Sequence, residues 1–277
     1  MPVETHMPLK IITLNVNGIR SAWRKGLADF LAREQADLVC LQETRVQQPQ
    51  LTREMLAPGP CRGFFHHAAR PGYSGVAIYT RHTPDRVVEG LGWPDFDAEG
   101  RWLQLDYGKL SVVSLYLPSG SSSQARQRIK FDVMQRLTPH LTQMLADGRD
   151  WIVCGDINIA HRNIDIKNWR GNQKNSGFLP EERAWLDVLF GDIGWVDAFR
   201  VVNQEADQYT WWSNRGQAWA RNVGWRIDYQ LISPGLRDTV RSARIHRDER
   251  FSDHAPLIME YAIDLPASFS PAGSKTP

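Results

Sequence analysis

The pattern of the chain predicts an α/β protein built as a four-layer sandwich, two stacked mixed β-sheets flanked by helices. Three observations lead there. Runs with β-branched or alternating apolar content read as strands at 10–16, 37–42, 75–80, 101–107, 110–117, 150–157, 226–233 and 255–263, with shorter ones at 63–68, 209–213 and 241–246. They fall into two groups, residues 10–117 and 150–263, each with enough material for a sheet. Helical spacing is confined to a few stretches, suited to covering sheets rather than forming a core of their own.

Taken along the chain, the first strand is the apolar run Lys10 to Leu14, closed by the turn-forming Asn15, Asn17 and Gly18. A helix over 24–35 places Leu27, Phe30 and Leu31 on one face. Strand 37–42 follows, then the turn Gly72 to Gly75 and strands 75–80, 101–107 and 110–117. Over 125–145, Ile129, Val133, Leu137, Leu141 and Leu145 recur every four residues, but Pro139 interrupts them. Thr138 and Pro139 also read as an N-cap and first-turn proline, so the segment is two helices or one kinked helix. Pro180-Glu181-Glu182-Arg183 opens a third helix with Trp185, Leu186 and Leu189 on its apolar face, ending near Gly191 or Gly194. A single domain over 9–264 is expected, with flexible tails at 1–8 and 265–277.

A 277-residue chain that is 42% hydrophobic and 23% charged excludes wholesale disorder, and its net charge of +2 does not by itself point to nucleic acid. Cys40, Cys61 and Cys154 cannot all pair, and two of them lie in apolar strand-like runs, so reduced thiols and a cytoplasmic, bacterial-type setting are expected. No apolar stretch approaches the ~20 residues that span a bilayer, and Met1 to Lys10 lacks the pattern of an export signal. The expected state is a monomer without membrane contact.

The chemistry collects at strand ends. Gly155-Asp156-Ile157-Asn158 closes the apolar run Trp151 to Cys154, Asn15 and Asn17 close the first strand, Glu43 closes 37–42, and Ser252-Asp253-His254 precedes the strand from Ala255. Acidic and amide groups gathered this way suit a hard, oxygen-preferring cation such as Mg²⁺. A phosphate ester is the matching substrate, because Mg²⁺ neutralises charge on phosphate oxygens while a carboxylate and an amide hold the attacking water. Asp156 and Asn158, two apart on an extended chain, point to the same side.

The phrases Leu14 to Arg20, Leu41-Gln42-Glu43-Thr44, Gly72 to Ala77, Gly155 to Asn158, Gly177 to Arg183, Asn222 to Tyr229 and Ser252 to Pro256 resemble the exonuclease III family of abasic-site (AP) endonucleases, within the endonuclease/exonuclease/phosphatase superfamily. The likeness covers about residues 10–262. It implies a Mg²⁺-dependent DNA repair nuclease, with Mn²⁺ as a substitute, that cuts 5′ to abasic sites and removes 3′ blocking groups or nucleotides from double-stranded DNA. It implies metal ligation by Glu43 and Asp253, with Asn15 and Asn17 beside them, although Asn17 also reads as a plain turn former before Gly18. The same resemblance implies that Asp156 activates the water, Asn158 orients it, Asp228 fixes His254, and Tyr116 contacts the target phosphate. His254 could act protonated or neutral.

Basic residues occupy loops after the site strands: Arg20, Arg24 and Lys25, then Arg162, Lys167, Arg170 and Lys174, then Arg215, Arg221 and Arg226. The last group interleaves with Trp211, Trp212, Trp219 and Trp225, a composition suited to stacking an exposed sugar. By resemblance, Trp212 and Trp225 form the pocket for a deoxyribose lacking its base, with Arg170 and Asn222 also on DNA. His66 and His67, adjacent on a strand, point to opposite faces and do not chelate. Two rivals stand: a superfamily phosphodiesterase acting on a lipid or inositol phosphate, and a DNA-binding relative without catalysis. EDTA-sensitive cleavage of abasic DNA separates all three.

Overall fold

The computed structural model describes residues 8–265, so the expected tails lie almost wholly outside the described residues. One sheet runs β13 (Val240–Ile245), β14 (Leu257–Tyr261), β1 (Leu9–Asn15), β2 (Leu38–Gln42), β4 (Val76–Thr80) and β3 (Arg62–His66). The other runs β5 (Arg86–Glu89), β6 (Trp102–Tyr107), β7 (Leu110–Tyr116), β8 (Asp150–Asp156), β12 (Asp228–Ile232) and β9 (Val196–Asp197). A short ribbon pairs β10 (Trp211–Trp212) with β11 (Gly224–Trp225). Both large sheets are mixed: β1 with β2 and β7 with β8 are parallel, and the other pairs are antiparallel.

The layers follow from strand alternation. Ile11, Cys40, Ile78, Val112, Ile152, Cys154 and Ile232 face a core between the sheets. Their neighbours Ile12, Val39 and Ala77 face Leu27 and Phe30, and Val113, Val153 and Leu231 face Val133, Leu137 and Leu186. This is the expected four-layer sandwich, but the two sequence blocks do not map onto the two sheets. The C-terminal β13 and β14 return to β1, and the second sheet begins already at β5. A grouping by sequence proximity fails because β14 supplies the hydrogen-bond partner that the open edge of β1 needs.

The helices depart from expectation in instructive ways. The 24–35 segment holds the helix Leu27–Glu34, and a further helix, Ile19–Arg24, precedes it, the two separated where Gly26 takes a left-handed conformation. Gln124–Ala146 is one continuous helix through Pro139; the Thr138 hydroxyl donates to the Met134 carbonyl instead of capping a new helix. The third helix, Pro180–Asp187, passes into a π turn, Val188–Ile193, that ends at Gly194.

Polar side chains cross the core beneath the site. Gln42 Nε2 donates to Ser114 Oγ at 3.0 Å, and Ser114 donates on to the Leu41 carbonyl at 2.9 Å. Gln230 Nε2 donates to the Ile11 carbonyl at 3.1 Å and its Oε1 accepts from the Tyr261 hydroxyl at 2.7 Å. Each set of bonds joins one sheet to the other.

Candidate active site

The parallel strands β1, β2, β7 and β8 all end at the same rim, and the antiparallel β12 and β14 begin there. Asp228 lies opposite Asp156 in the β8–β12 register. Residues far apart in sequence are therefore brought to one cleft of about 830 Å³, lined by Asn17, Glu43, Tyr116, Asp156, Asn158, Asp253 and His254. Asn15 and Asp228 stand immediately behind it.

Asn15 is fully buried and joins the two key carboxylates: its Nδ2 donates to Glu43 Oε2 and to Asp156 Oδ2, both at 2.9 Å. Its Oδ1 accepts the Asn17 amide at 2.9 Å. Asn15 thus orients both carboxylates; its Oδ1, the atom an amide would offer a metal, is taken by the Asn17 amide, and Asn15 lies outside the cleft lining. Asn17 reaches the cleft and donates from Nδ2 to Asp253 Oδ1 at 2.8 Å; Trp211 Nε1 holds the other Asp253 oxygen at 3.0 Å.

Asp156 and Asn158 share a tight turn in which the Asn158 amide donates to Asp156 Oδ1 at 2.9 Å, and Asn158 Nδ2 donates to the Leu117 carbonyl at 2.9 Å. Asp228 Oδ2 meets His254 Nδ1 at 2.9 Å, and His254 Nε2 lies 3.8 Å from Asp156 Oδ2. Burial pushes the Asp156 carboxyl up to about 7, aided by Asp228 and resisted by His254 and the amides of Asn15 and Asn158. Burial alone would depress the His254 imidazole, but the charges of Asp228 and Asp156 and the Asp228 hydrogen bond carry it to about 10. These neighbouring charges favour the imidazolium form of His254. Tyr116 stacks under Arg101, whose guanidinium carbon lies 4.6 Å from the ring centre. Burial and the Glu43 charge hold its phenol well above the ordinary value, so it donates a proton in a hydrogen bond rather than ionising.

The donor set fits a hard divalent cation. Glu43, Asn17 and Asp253 offer oxygen-bearing groups to one cleft, and Glu43 Oε1 is held by Arg45, a side chain exposed enough to move aside. Asp156, Asp228 and His254 form a second group that could hold a metal ion; the buried Asp228 Oδ1 has no hydrogen-bond partner.

The aromatic wall requires a correction. Trp212 is fully buried, 4.4 Å from Trp219 between ring centres, with its Nε1 donating to Asn222 Oδ1. Trp211 lines the cleft instead, edge-on to Trp225 at 6.0 Å and beside Ile227. Neighbours on a strand face opposite ways, and Trp212 takes the inner side because Gly224 opposite it leaves room; a β-carbon there would sit 2.5 Å from its Nε1. That parity, with Gly224 preceding Trp225, was the signal available in the sequence. Asn222 also differs from expectation: Oδ1 accepts from Trp212 and Nδ2 donates to the Asp207 carbonyl, so the side chain braces the loop. Arg170 is exposed on Trp169, outside the cleft lining. His66 and His67 bond to different carbonyls, those of Trp102 and Val46.

Residues 12–254 match the Endonuclease/Exonuclease/phosphatase family. The chain is 36% identical to an exodeoxyribonuclease of Bacillus subtilis over 90% of its length and 98% of that protein. Among solved structures, an AP endonuclease from Archaeoglobus fulgidus superimposes with a TM-score of 0.82 at 26% identity, over 92% of this chain and all of that one. A 3′ phosphatase from Neisseria bound to a product DNA hairpin gives 0.84 at 27% identity, over 91% and 99%.

Proposed function

From the premise that the chain belongs to the Endonuclease/Exonuclease/phosphatase family, we propose that it is a metal-dependent DNA repair nuclease of the exonuclease III type. It hydrolyses the phosphodiester 5′ to an abasic site in double-stranded DNA and removes 3′ blocking groups or nucleotides. The observation that carries this reading is one cleft in which Glu43, Asp156, Asn158 and His254 stand beside an apolar wall of Trp211, Trp225 and Ile227. That wall suits a sugar without its base, which presents apolar edges and no hydrogen-bonding base face. Mg²⁺ is the resident cation in this reading, with Mn²⁺ able to replace it. A monomer in the cytoplasm is part of the same reading, supported by three free cysteines; among the described residues no helix is long and apolar enough to cross a membrane.

The chain's residues divide the work. Asp156, with Asn158, holds a water for in-line attack on phosphorus and takes its proton as the new P–O bond forms and the P–O3′ bond breaks. His254, kept cationic by Asp228, faces the phosphate oxygens as they gain charge, and the Tyr116 phenol donates to the same group. Glu43, with Asn17 and Asp253, would hold Mg²⁺, which would supply Lewis-acid neutralisation of phosphate charge.

A gel assay with abasic, 3′-phosphate and undamaged duplexes, with a phosphosphingolipid control, tests the reading. Mg²⁺-dependent, EDTA-sensitive incision of the abasic duplex is expected. Glu43→Gln should raise the Mg²⁺ concentration required for half-maximal rate by about tenfold or more. Inertness toward every DNA substrate, with turnover of the lipid, overturns it.

A further inference from the structure

Beneath the water-holding turn lies a charged pair that the chemistry above does not use. Lys130, on the helix Gln124–Ala146, and Glu182, in the first turn of Pro180–Asp187, are both fully buried. Lys130 Nζ donates to Glu182 Oε1 at 2.5 Å and to the Asn158 backbone carbonyl at 2.8 Å. Glu182 Oε2 accepts the amides of Gly177 at 2.6 Å and Leu179 at 3.0 Å, and Gln127 Nε2 donates to Oε1 at 3.0 Å. The Ala160 amide closes the circuit on the Gly177 carbonyl at 2.8 Å.

Stability alone accounts poorly for this arrangement. Apolar side chains of equal volume do as well as a buried ion pair, because desolvating both charges offsets their attraction. What the ions add is direction. Asn158 sits at φ 57°, a conformation that costs a non-glycine residue on the order of 1 kcal/mol and persists only when its surroundings hold it. Gly177 packs directly against the aromatic wall: a β-carbon on it would lie 3.0 Å from Trp225 Cζ3 and 3.1 Å from the Asn158 carbonyl oxygen. The field of Asp156 also reaches Lys130, opposing the fall in its pKa that burial imposes.

We propose that Lys130 is a positioning residue for the hydrolytic turn: its ammonium, anchored by Glu182, fixes the Asn158 carbonyl, while Glu182 fixes the 177–179 loop that backs Trp225. The turn that holds water and the wall that receives the sugar thereby move as one body, so substrate seated against Trp225 is already in line with the nucleophile. This rests on reading Asp156 and Asn158 as the water-holding pair.

Two variants and two readouts test it. Lys130→Met, and Lys130→Met/Glu182→Gln, which removes both charges and so avoids a lone buried carboxylate, should fold and lower kcat on an abasic duplex about ten- to a hundredfold while KM stays within about threefold. Hydrogen exchange should quicken together at the Ala160 amide and at those of Gly177 and Leu179. A folded double variant with wild-type kcat overturns the proposal, as does quickened exchange confined to 177–179. Wild-type protein inert on abasic DNA, with the joint exchange change still present in the variants, would instead overturn the function proposed above and leave the linkage standing.

Discussion

Two buried charge clusters flank the start of β12, and they behave in opposite ways. Arg226 reaches Asp165 Oδ1 from Nε at 2.8 Å and Asp197 Oδ2 from Nη2 at 2.7 Å, and Arg200 adds a second guanidinium on Asp165 at 2.6 Å. Two residues on, Asp228 with Asp156 shares one imidazole. Burial raises a carboxylate in both places. In the first cluster two guanidiniums outweigh it, and Asp165 falls to about 2; in the second a single imidazole is shared by two buried carboxylates, and Asp156, beside the charge of Asp228, climbs to about 7. The amount of counter-charge that each buried acid receives decides whether it is a strut or a proton acceptor near neutral pH.

The sharpest way to break this contrast is to exchange an amide for an acid in each cluster. Asp156→Asn should cost about a thousandfold in kcat with little change in Tm, whereas folded Asp165→Asn should keep near-normal kcat. Comparable turnover losses for the two would erase the distinction. Arg226→Met leaves Asp165 and Asp197 short of their shared cation and should lower stability by about 3–5 kcal/mol, on the order of 10 °C in Tm; thermal unfolding measures it.

The tryptophans give a smaller but parallel split. Trp225→Ala and Trp211→Ala should reduce kcat/KM on abasic duplex by about tenfold or more with modest change in Tm. Trp212→Ala should show the reverse, a loss of about 3 kcal/mol or more of stability from the cavity it opens. Proton linkage gives the mildest effects. Activity should rise as pH passes about 7, where Asp156 ionises, and fall toward about 10, where His254 loses its proton; Asp156→Asn should abolish the rising limb. Asp165 is depressed in the fold, so its stabilisation is complete above the unfolded value near 3.8 and lost as pH falls toward about 2. Unfolding midpoints across that acid window should flatten in Asp165→Asn.

The strand-end acids were legible because a carboxylate that closes a fully apolar run stands where the core opens to solvent, and Glu43, Asp156, Asp253 and His254 all reach the cleft. Near-continuous apolar and β-branched runs likewise marked the central strands, which are buried on both faces. Less was legible where pairing depends on a distant partner: β5 is exposed on most of its length and β9 has only two residues, so neither has a pattern to find. Asn15 read as a metal ligand and Asn222 as a DNA contact because composition records a donor and an acceptor without saying which neighbours consume them. Lys130 gave no signal, since one lysine in an amphipathic helix reads as solvated until the opposing Glu182 is known.

The hydrogen bonds that cross between the sheets bear on all of this. Apolar contact has no direction, so two oily faces could slip past one another by a fraction of a residue at small cost. Gln42 on Ser114 and Gln230 on Ile11 forbid such slippage, because each would strand a polar atom in dry surroundings. Asn15 belongs to one sheet and Asp156 to the other, so their 2.9 Å contact is kept by registration pins buried a few residues below the mouth. The geometry of the reaction centre is thereby set in the keel of the molecule and not at its rim.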